Sequence, residues 1–124
     1  MMKKIILTLI TIFSMNTNAE IKCREDGSTM EMRACFIDEL KMEEDKLAKA
    51  LDAALKSSDW VAREIEKSQN AWVVYRDAHC DAVYNSSGDG SIRFIEHPMC
   101  LVGLTRQRAD DLLTSFTRDT DYKD

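Results

Sequence analysis

Four cysteines carry the most distinctive chemistry of this chain, at Cys23, Cys35, Cys80 and Cys100. Cysteines can pair as disulfides, bind zinc or act as nucleophiles. No two of them have the Cys-x-x-Cys spacing of a structural zinc site, so the sequence predicts no metal site. An even number of cysteines in a short exported chain is typical of a disulfide framework. We therefore predict two disulfides, which leave no thiolate nucleophile.

Two histidines, His79 and His97, are the only candidates for a general base near neutral pH. No Ser, Cys or carboxylate stands in a recognisable catalytic arrangement with either of them. We predict that both histidines pack against neighbours or cap helices, that the protein is not an enzyme, and that it needs no cofactor.

Residues 1–19 have the organisation of a secretory signal peptide. Lys3 and Lys4 give a cationic start, an apolar run from Ile5 to Met15 follows, and Ala19 provides the small residue before a cut. That run is too short for a membrane span, which needs about 20 apolar residues. Cys23 lacks the small and aliphatic residues that precede the cysteine of a lipoprotein. We predict a mature chain of residues 20–124 that is periplasmic or secreted, with no membrane span and no lipid anchor.

The chain is acidic, with a net charge of −5 over its 124 residues. Loss of Lys3 and Lys4 with the signal peptide leaves 15 basic and 22 acidic side chains, a net charge of −7. Nucleic acid is therefore not an expected partner, because phosphate binding needs clustered Lys and Arg. The acidic run from Glu39 to Asp45 either steers a cationic partner, through residues such as Glu43 and Glu44, or forms a solvated helix face.

One Pro and four Gly are too few for the many turns of a β-sandwich or barrel, so we predict one all-α domain. Ser28 and Glu31 have the spacing of a capping box, which predicts the start of a first helix. Its apolar face comprises Cys35, Phe36, Leu40, Leu47, Leu51 and Leu55. The acidic residues between 38 and 45 are predicted to lie largely outside this face. Ser57-Ser58-Asp59 interrupts the run and offers an N-cap for a second helix.

The second helix is predicted to run to Asn85, with these residues at near-helical spacing: Trp60, Ile65, Trp72, Tyr75, His79 and Val83. Trp72 and Tyr75 are predicted core aromatics rather than binding anchors. Residues 86–91 have no apolar period and predict a loop of about ten to twelve residues, extending to His97. Pro98 suits the first turn of a third helix that ends near Thr117. The charged tail, residues 118–124, is predicted to be frayed.

Three helices joined in this order predict a small antiparallel three-helix bundle stapled by two disulfides. Four cysteines allow three pairings. We favour Cys23 with Cys35 and Cys80 with Cys100, because each pair joins a flexible segment to the helix beside it. Arg76 and Arg108 lie among apolar positions of two helices.

For the two arginines we predict salt bridges at the edge of the core. The candidate partners are Asp77, Asp110 and Asp111.

Several spaced motifs resemble the LprI-like lysozyme inhibitor family. They are the run from Gln69 to Cys80, then Gly90-Ser91-Ile92, then Cys100 with Leu104-Thr105 and Arg108. The residues from Met30 to Cys35, together with Leu51, fit the first helix of that family. The resemblance spans about Cys23 to Leu113. Its structural motif residues in this chain are Trp72, Arg76, Asp77, Thr105 and Arg108.

This resemblance implies an exported inhibitor of lysozyme-type cell-wall hydrolases that binds the cationic enzyme non-covalently. Such enzymes keep two carboxylates in an open sugar-binding cleft. We therefore predict that the loop from Ser86 to His97 enters the cleft, with Ser91, Arg93 and His97 as hydrogen-bond donors to the carboxylates. The alternative is that the loop is stapled by Cys80 and Cys100 for stability alone.

Two other functions remain open from the sequence. A periplasmic immunity protein against a cell-wall-degrading toxin would share export, acidity and a helical disulfide-bonded fold. A structural or assembly factor of the cell envelope, without inhibitory activity, would share them too. Gene neighbourhood and the capture of an endogenous periplasmic partner distinguish these alternatives.

Overall fold

The computed structural model describes residue 23 and residues 27–117. The predicted signal peptide, 1–19, and the predicted tail, 118–124, lie outside the described residues. Within the described residues the chain forms three α-helices and no strand, and the prediction of an all-α three-helix fold is confirmed. They are α1 (Thr29–Ser57), α2 (Ala62–Ser86) and α3 (Arg93–Phe116), with a short 3₁₀ turn (Asp59–Val61) between α1 and α2.

The start of α1 is the predicted one. The Ser28 side chain accepts a hydrogen bond from the Glu31 amide at 3.2 Å, which satisfies one of the amides left unpaired in the first helical turn. The helix ends at Ser57, as predicted. Ser58, however, does not cap the second helix with its side chain. Its hydroxyl donates to the carbonyl oxygen of Phe116 at 2.8 Å, which joins the α1–α2 connection to the end of α3.

Helices α1 and α3 run parallel, and α2 runs antiparallel to both. α3 packs extensively on α1 and less on α2, whereas α1 and α2 make few contacts with each other. The largest buried apolar cluster lies where α1 ends, α2 begins and α3 ends. It comprises Leu47, Ala50, Ala54, Ile65, Ala109 and Leu112. The three alanines permit the close approach of α1 and α3.

Because α2 packs mainly on α3, it buries only a narrow stripe. Ile65 and Cys80 are buried, and Trp72 is half-buried against the core cluster. The prediction that Tyr75 is a core aromatic is wrong, since 56% of its surface is exposed. Trp60 is 72% exposed at the α1–α2 connection. Tyr75 lies on α2 but outside its narrow buried stripe, whereas Trp60 lies in the 3₁₀ turn before α2 begins.

Helix α3 begins at Arg93, five residues earlier than the position of Pro98 predicted. Backbone hydrogen bonds from the Phe94 amide to Ser91 and from the Ile95 amide to Ile92 lead into the helix at 3.1 and 2.9 Å. Pro98 is buried inside α3, where it forfeits one hydrogen bond of the helix. The connection between α2 and α3 is therefore residues 87–92, and the prediction of ten to twelve loop residues is wrong.

Both predicted disulfides are present. Cys23 pairs with Cys35 and Cys80 pairs with Cys100, each with a Cα–Cα distance of 5.6 Å. All four cysteines are thus used, and none is a free thiol. The second disulfide joins α2 to α3 near the connection between them. Within the described residues, no helix is both long enough and apolar enough to cross a membrane.

Candidate partner-binding surface

Arg76 organises a polar network between α2 and α3. Its guanidinium lies 5.2 Å from the ring centroid of Trp72, and Nη1 donates to the hydroxyl of Thr105 at 3.3 Å. Nη2 lies 2.9 Å from the Asp77 carboxylate, as predicted. Nη1 also lies 3.6 Å from Glu44 of α1. The Arg76 side chain is only 14% exposed, so its guanidinium links the helices and offers little surface to a partner.

Arg108 makes the same kind of link nearer the start of α2. Its Nε donates to the side-chain oxygen of Gln69, and Nη2 donates to the hydroxyl of Ser68, both at 2.9 Å. The predicted salt bridge to Asp110 or Asp111 is wrong, because Arg108 points to neutral groups on α2. Burial lowers the pKa of Arg108, and the charge of Asp111 opposes this shift.

The connection between α2 and α3, residues 87–92, is called the tip below. It is braced from both sides. Gly88 has a φ of +61°, a conformation that glycine adopts without strain. The Ser87 hydroxyl donates to the Glu96 carboxylate. Arg93 donates from Nη1 to the Gly88 carbonyl at 3.1 Å.

The Arg93 guanidinium also lies between two aromatic rings. It is 5.1 Å from the centroids of both Tyr84 and Phe94. These contacts and the Cys80–Cys100 disulfide hold the base of the tip. The side chains of Asp89, Ser91 and Ile92 are exposed, and Ile92 presents half of its surface to solvent. The tip is therefore a short, braced projection with a polar and an apolar side chain side by side.

The comparison with protein-family models gives one match, to the family described as "Lysozyme inhibitor LprI", over residues 20–112. That range covers well over half of the chain. The chain belongs to the LprI lysozyme inhibitor family. No curated protein and no solved structure matches it. The motif residues that resembled this family, Trp72, Arg76, Asp77, Thr105 and Arg108, thus form the two polar links between α2 and α3.

The three donors predicted on the loop that would enter the enzyme cleft do not lie together on a loop. Only Ser91 belongs to the tip. Arg93 lies in the first turn of α3, where Nη1 donates to the tip, the guanidinium lies between two aromatic rings, and Nε is buried without a hydrogen-bond partner. His97 lies on the next turn, with Nε2 3.3 Å from Asp81 and its ring against the edge of Tyr84. Arg93 therefore supports the tip rather than extending from it.

The other histidine is also placed by packing. His79 is exposed on α2 and stacks on Tyr75, with ring centroids 5.5 Å apart. It lies two turns of helix away from the tip. This arrangement is consistent with the packing role that the sequence predicted.

The acidic run from Glu39 to Asp45 on α1 is not exposed along its whole length, contrary to the prediction, because one of its acidic residues is buried. Glu43 is buried, with 4% of its surface exposed, so the prediction that it lies outside the apolar face of α1 is wrong. Arg106 of α3 donates from Nη2 to Glu43 at 3.2 Å and to Glu39 at 2.7 Å. The hydrogen bond to Glu39 raises the pKa of Arg106. Lys46 donates to Glu43 at 3.3 Å.

Glu43 is therefore an internal ion-pair residue whose carboxylate accepts from Arg106 and Lys46. Glu44 remains half-exposed beside Arg76. The sequence spacing did indicate that Glu43 is on the buried side of α1. Glu43 stands four residues before Leu47 and seven before Ala50, on the stripe that α1 buries.

One cleft lies between the first half of α1 and the start of α3. Its volume is about 200 Å³, and its apolar lining includes Ile37, Phe94 and Leu101. Small-molecule sites usually have volumes of about 300 to 1,000 Å³. Over residue 23 and residues 27–117, no group of three metal-ligating side chains is close enough to hold an ion. The tip is thus the more developed candidate site.

Proposed function

We propose that this protein is exported and inhibits a lysozyme-type cell-wall hydrolase by binding it non-covalently, without catalysis. The observation that carries the proposal is the match to the LprI lysozyme inhibitor family over residues 20–112. The predicted export places the protein in the compartment where such hydrolases act. The two disulfides suit that oxidising environment.

Charge supports the same partner. The predicted mature chain has 15 basic and 22 acidic side chains, and lysozymes of the c type are strongly cationic. Opposite net charges raise the rate of encounter and disfavour wrong partners, but they contribute less to affinity. Affinity requires a complementary shape that fits the sugar-binding cleft.

The tip is our candidate for that shape. In this proposal Ser91 donates a hydrogen bond to a cleft carboxylate, and Ile92 is buried against the cleft wall. Because Arg93 and the Cys80–Cys100 disulfide already hold the base of the tip, little conformational freedom is lost on binding. The acidic neighbour Asp89 is free to meet the cationic rim of the enzyme.

The first experiment measures lysis of a bacterial cell-wall suspension by c-, g- and i-type lysozymes, with and without purified residues 20–124. We expect dose-dependent inhibition of at least one class. Inhibition should saturate at a fixed stoichiometry and should disappear when the complex is dissociated. If all three classes lyse cell walls at unchanged rates with a large molar excess of folded protein, the proposal is wrong.

The second experiment locates the contact. Ile92→Glu removes an exposed apolar side chain at the tip and places a negative charge against the cleft carboxylates. A contact at the centre of an interface is worth at least about 2 kcal/mol, so we expect inhibition to weaken roughly 30-fold or more. Trp60→Glu is the matched control, because it makes the same kind of change at the opposite end of the bundle. Equal inhibition by both variants and the wild type would exclude the tip.

A further inference from the structure

Helix α2 has a second apolar face that no part of the described chain covers. Its core contacts, through Ile65, Trp72 and Cys80, lie on one side. On the opposite side a set of exposed apolar residues recurs at three- and four-residue spacing, and we call it the outer face. It comprises Ala71, Val74, Ala78 and Ala82, with Tyr75 beside it. Val74 is 70% exposed and Tyr75 is 56% exposed.

The outer face has a charged residue at each end, and the two charges have opposite signs. Lys67 precedes Val74 by seven residues and Asp81 follows it by seven, and seven-residue steps stay on one side of a helix. The Asp81 side chain is 71% exposed, and its Oδ1 lies 3.3 Å from Nε2 of His97 on α3, so the carboxylate is partnered but still open to solvent. Lys67 is exposed and makes no ion pair within residues 27–117. The outer face therefore has apolar residues at its centre with Asn70 beside Val74, carries Lys67 with Glu64 beside it toward the start of α2, and is acidic toward its end.

We propose that the outer face binds the outer face of a second copy of this chain, with the two α2 helices antiparallel and a two-fold axis beside Val74. In a symmetric dimer the same patch is used twice. The symmetry places Lys67 of each copy opposite Asp81 of the other. Ala71 and Ala78 lie on either side of the axis, where small side chains let the two helix backbones approach closely.

The order of charges favours this occupant and this orientation. A parallel pair would place Lys67 against Lys67 and Asp81 against Asp81, which is repulsive at both ends. The antiparallel pair makes both ends attractive. A purely cationic partner such as a lysozyme would meet Lys67 unfavourably. The self-complementary pattern thus fits a second copy better than it fits an oppositely charged protein.

The dimer is expected to be weak. A helix of 25 residues is about 37 Å long, and one helix pair buries less surface than a standard stable interface. Dimer formation therefore depends on protein concentration. In the dimer the two tips project from opposite ends of the paired helices, because each tip follows the end of its own α2.

The experiment measures the mass of purified residues 20–124 by sedimentation equilibrium over about a hundredfold range of concentration. We expect a reversible monomer–dimer equilibrium. Lys67→Asp and Asp81→Lys should each raise the dimer dissociation constant about tenfold or more, since each substitution makes both charge pairs repulsive. Val74→Lys should have a similar effect. Helical content and thermal midpoint verify that each variant is folded.

The decisive step mixes the two charge variants. A heterodimer of Lys67→Asp with Asp81→Lys has two attractive pairs again, so mixing should restore dimers that neither variant forms alone. The matched controls are Lys49→Asp and Asp110→Lys, which make the same substitutions at exposed positions of α1 and α3. They should dimerise like the wild type.

Three results would overturn the proposal. One is a wild-type protein that stays monomeric at every concentration. Another is a dimer that the Lys67, Val74 and Asp81 substitutions leave unchanged. The third is a mixture of the two charge variants that stays monomeric, which excludes the antiparallel pairing.

Discussion

Removal of the Arg106 guanidinium tests the buried ion-pair network between α1 and α3. We consider Arg106→Met, which keeps an apolar stem of similar length and removes the charge. The wild-type guanidinium donates to Glu39 at 2.7 Å and to Glu43 at 3.2 Å. In the variant the Glu43 side chain, only 5% exposed, keeps Lys46 as its single cationic partner.

The expected loss follows from burial. Breaking a buried ion pair from one side costs about 3 to 5 kcal/mol, because the other charge stays in a poorly solvated place. Arg106 itself is half-exposed, and Lys46 compensates part of the Glu43 charge, so we expect about 2 to 3 kcal/mol. For a domain of this size, each kcal/mol lowers the melting temperature by about 4 to 8 °C.

The assay is urea unfolding of the oxidised protein, followed by far-ultraviolet circular dichroism. Lys41→Met is the control, since Lys41 pairs with Asp38 at 3.7 Å and both side chains are largely exposed. That variant should lose less than about 0.5 kcal/mol. Adding Glu43→Leu to Arg106→Met should recover much of the loss, because the stranded carboxylate is removed. A loss below 1 kcal/mol for Arg106→Met, equal to that of the control, would refute this account of the network.

Two further predictions concern the scaffold and the encounter. Trp72→Ala should reduce the free energy of unfolding by about 2 to 4 kcal/mol in the same assay, because the ring packs on the core cluster and under Arg76. A loss below 1 kcal/mol would show that the ring is not part of the core. If a lysozyme is inhibited, the association rate measured by stopped flow should fall about tenfold from low salt to about 0.5 M salt, since salt screens the attraction. A rate independent of salt would exclude electrostatic steering.

Much of the fold was predictable because it depends on local signals. The capping box at Ser28 and Glu31 determines where α1 begins, and both ends of α1 were predicted correctly. The order of the elements left three disulfide pairings open, and the favoured one is present, although Cys80 and Cys100 both lie in helices rather than one of them in a flexible segment. The end of α3 near Thr117 also follows its apolar period.

The start of α3 was mispredicted because Pro98 was interpreted as a helix-start signal. Proline is tolerated best in the first turn of a helix, whereas Pro98 lies in the second turn of α3 and forfeits one backbone hydrogen bond there. The helix actually starts at Ile92 and Arg93. No side chain caps this end, so the sequence contains no capping residue from which the start could be predicted. The consequence for the site is direct. Arg93 and His97 changed from loop donors to helical residues, and the tip shrank to residues 87–92.

The helical register places Glu43 on the buried stripe of α1, but its ion-pair partner was not predictable from its neighbours. Its burial depends on Arg106, which is 63 residues away in the sequence and becomes adjacent only when α1 and α3 pack in parallel. Ser58 is similar, because its partner is a carbonyl oxygen 58 residues away. Local patterns report which side of a helix is apolar. They do not show that a charged side chain on the apolar side forms an ion pair with a residue of another helix.

The position of α2 explains why the conformation of the tip is restrained while the outer face is exposed to solvent. α2 makes few contacts with α1, so its place depends on α3. Three links along its length supply this support: Arg108 with Gln69 near its start, Arg76 with Thr105 at its middle, and the Cys80–Cys100 disulfide near its end. A helix held from one side by spaced links needs no second layer. Its opposite side then stays exposed, and the turn that closes the α2–α3 pair stays fixed in direction.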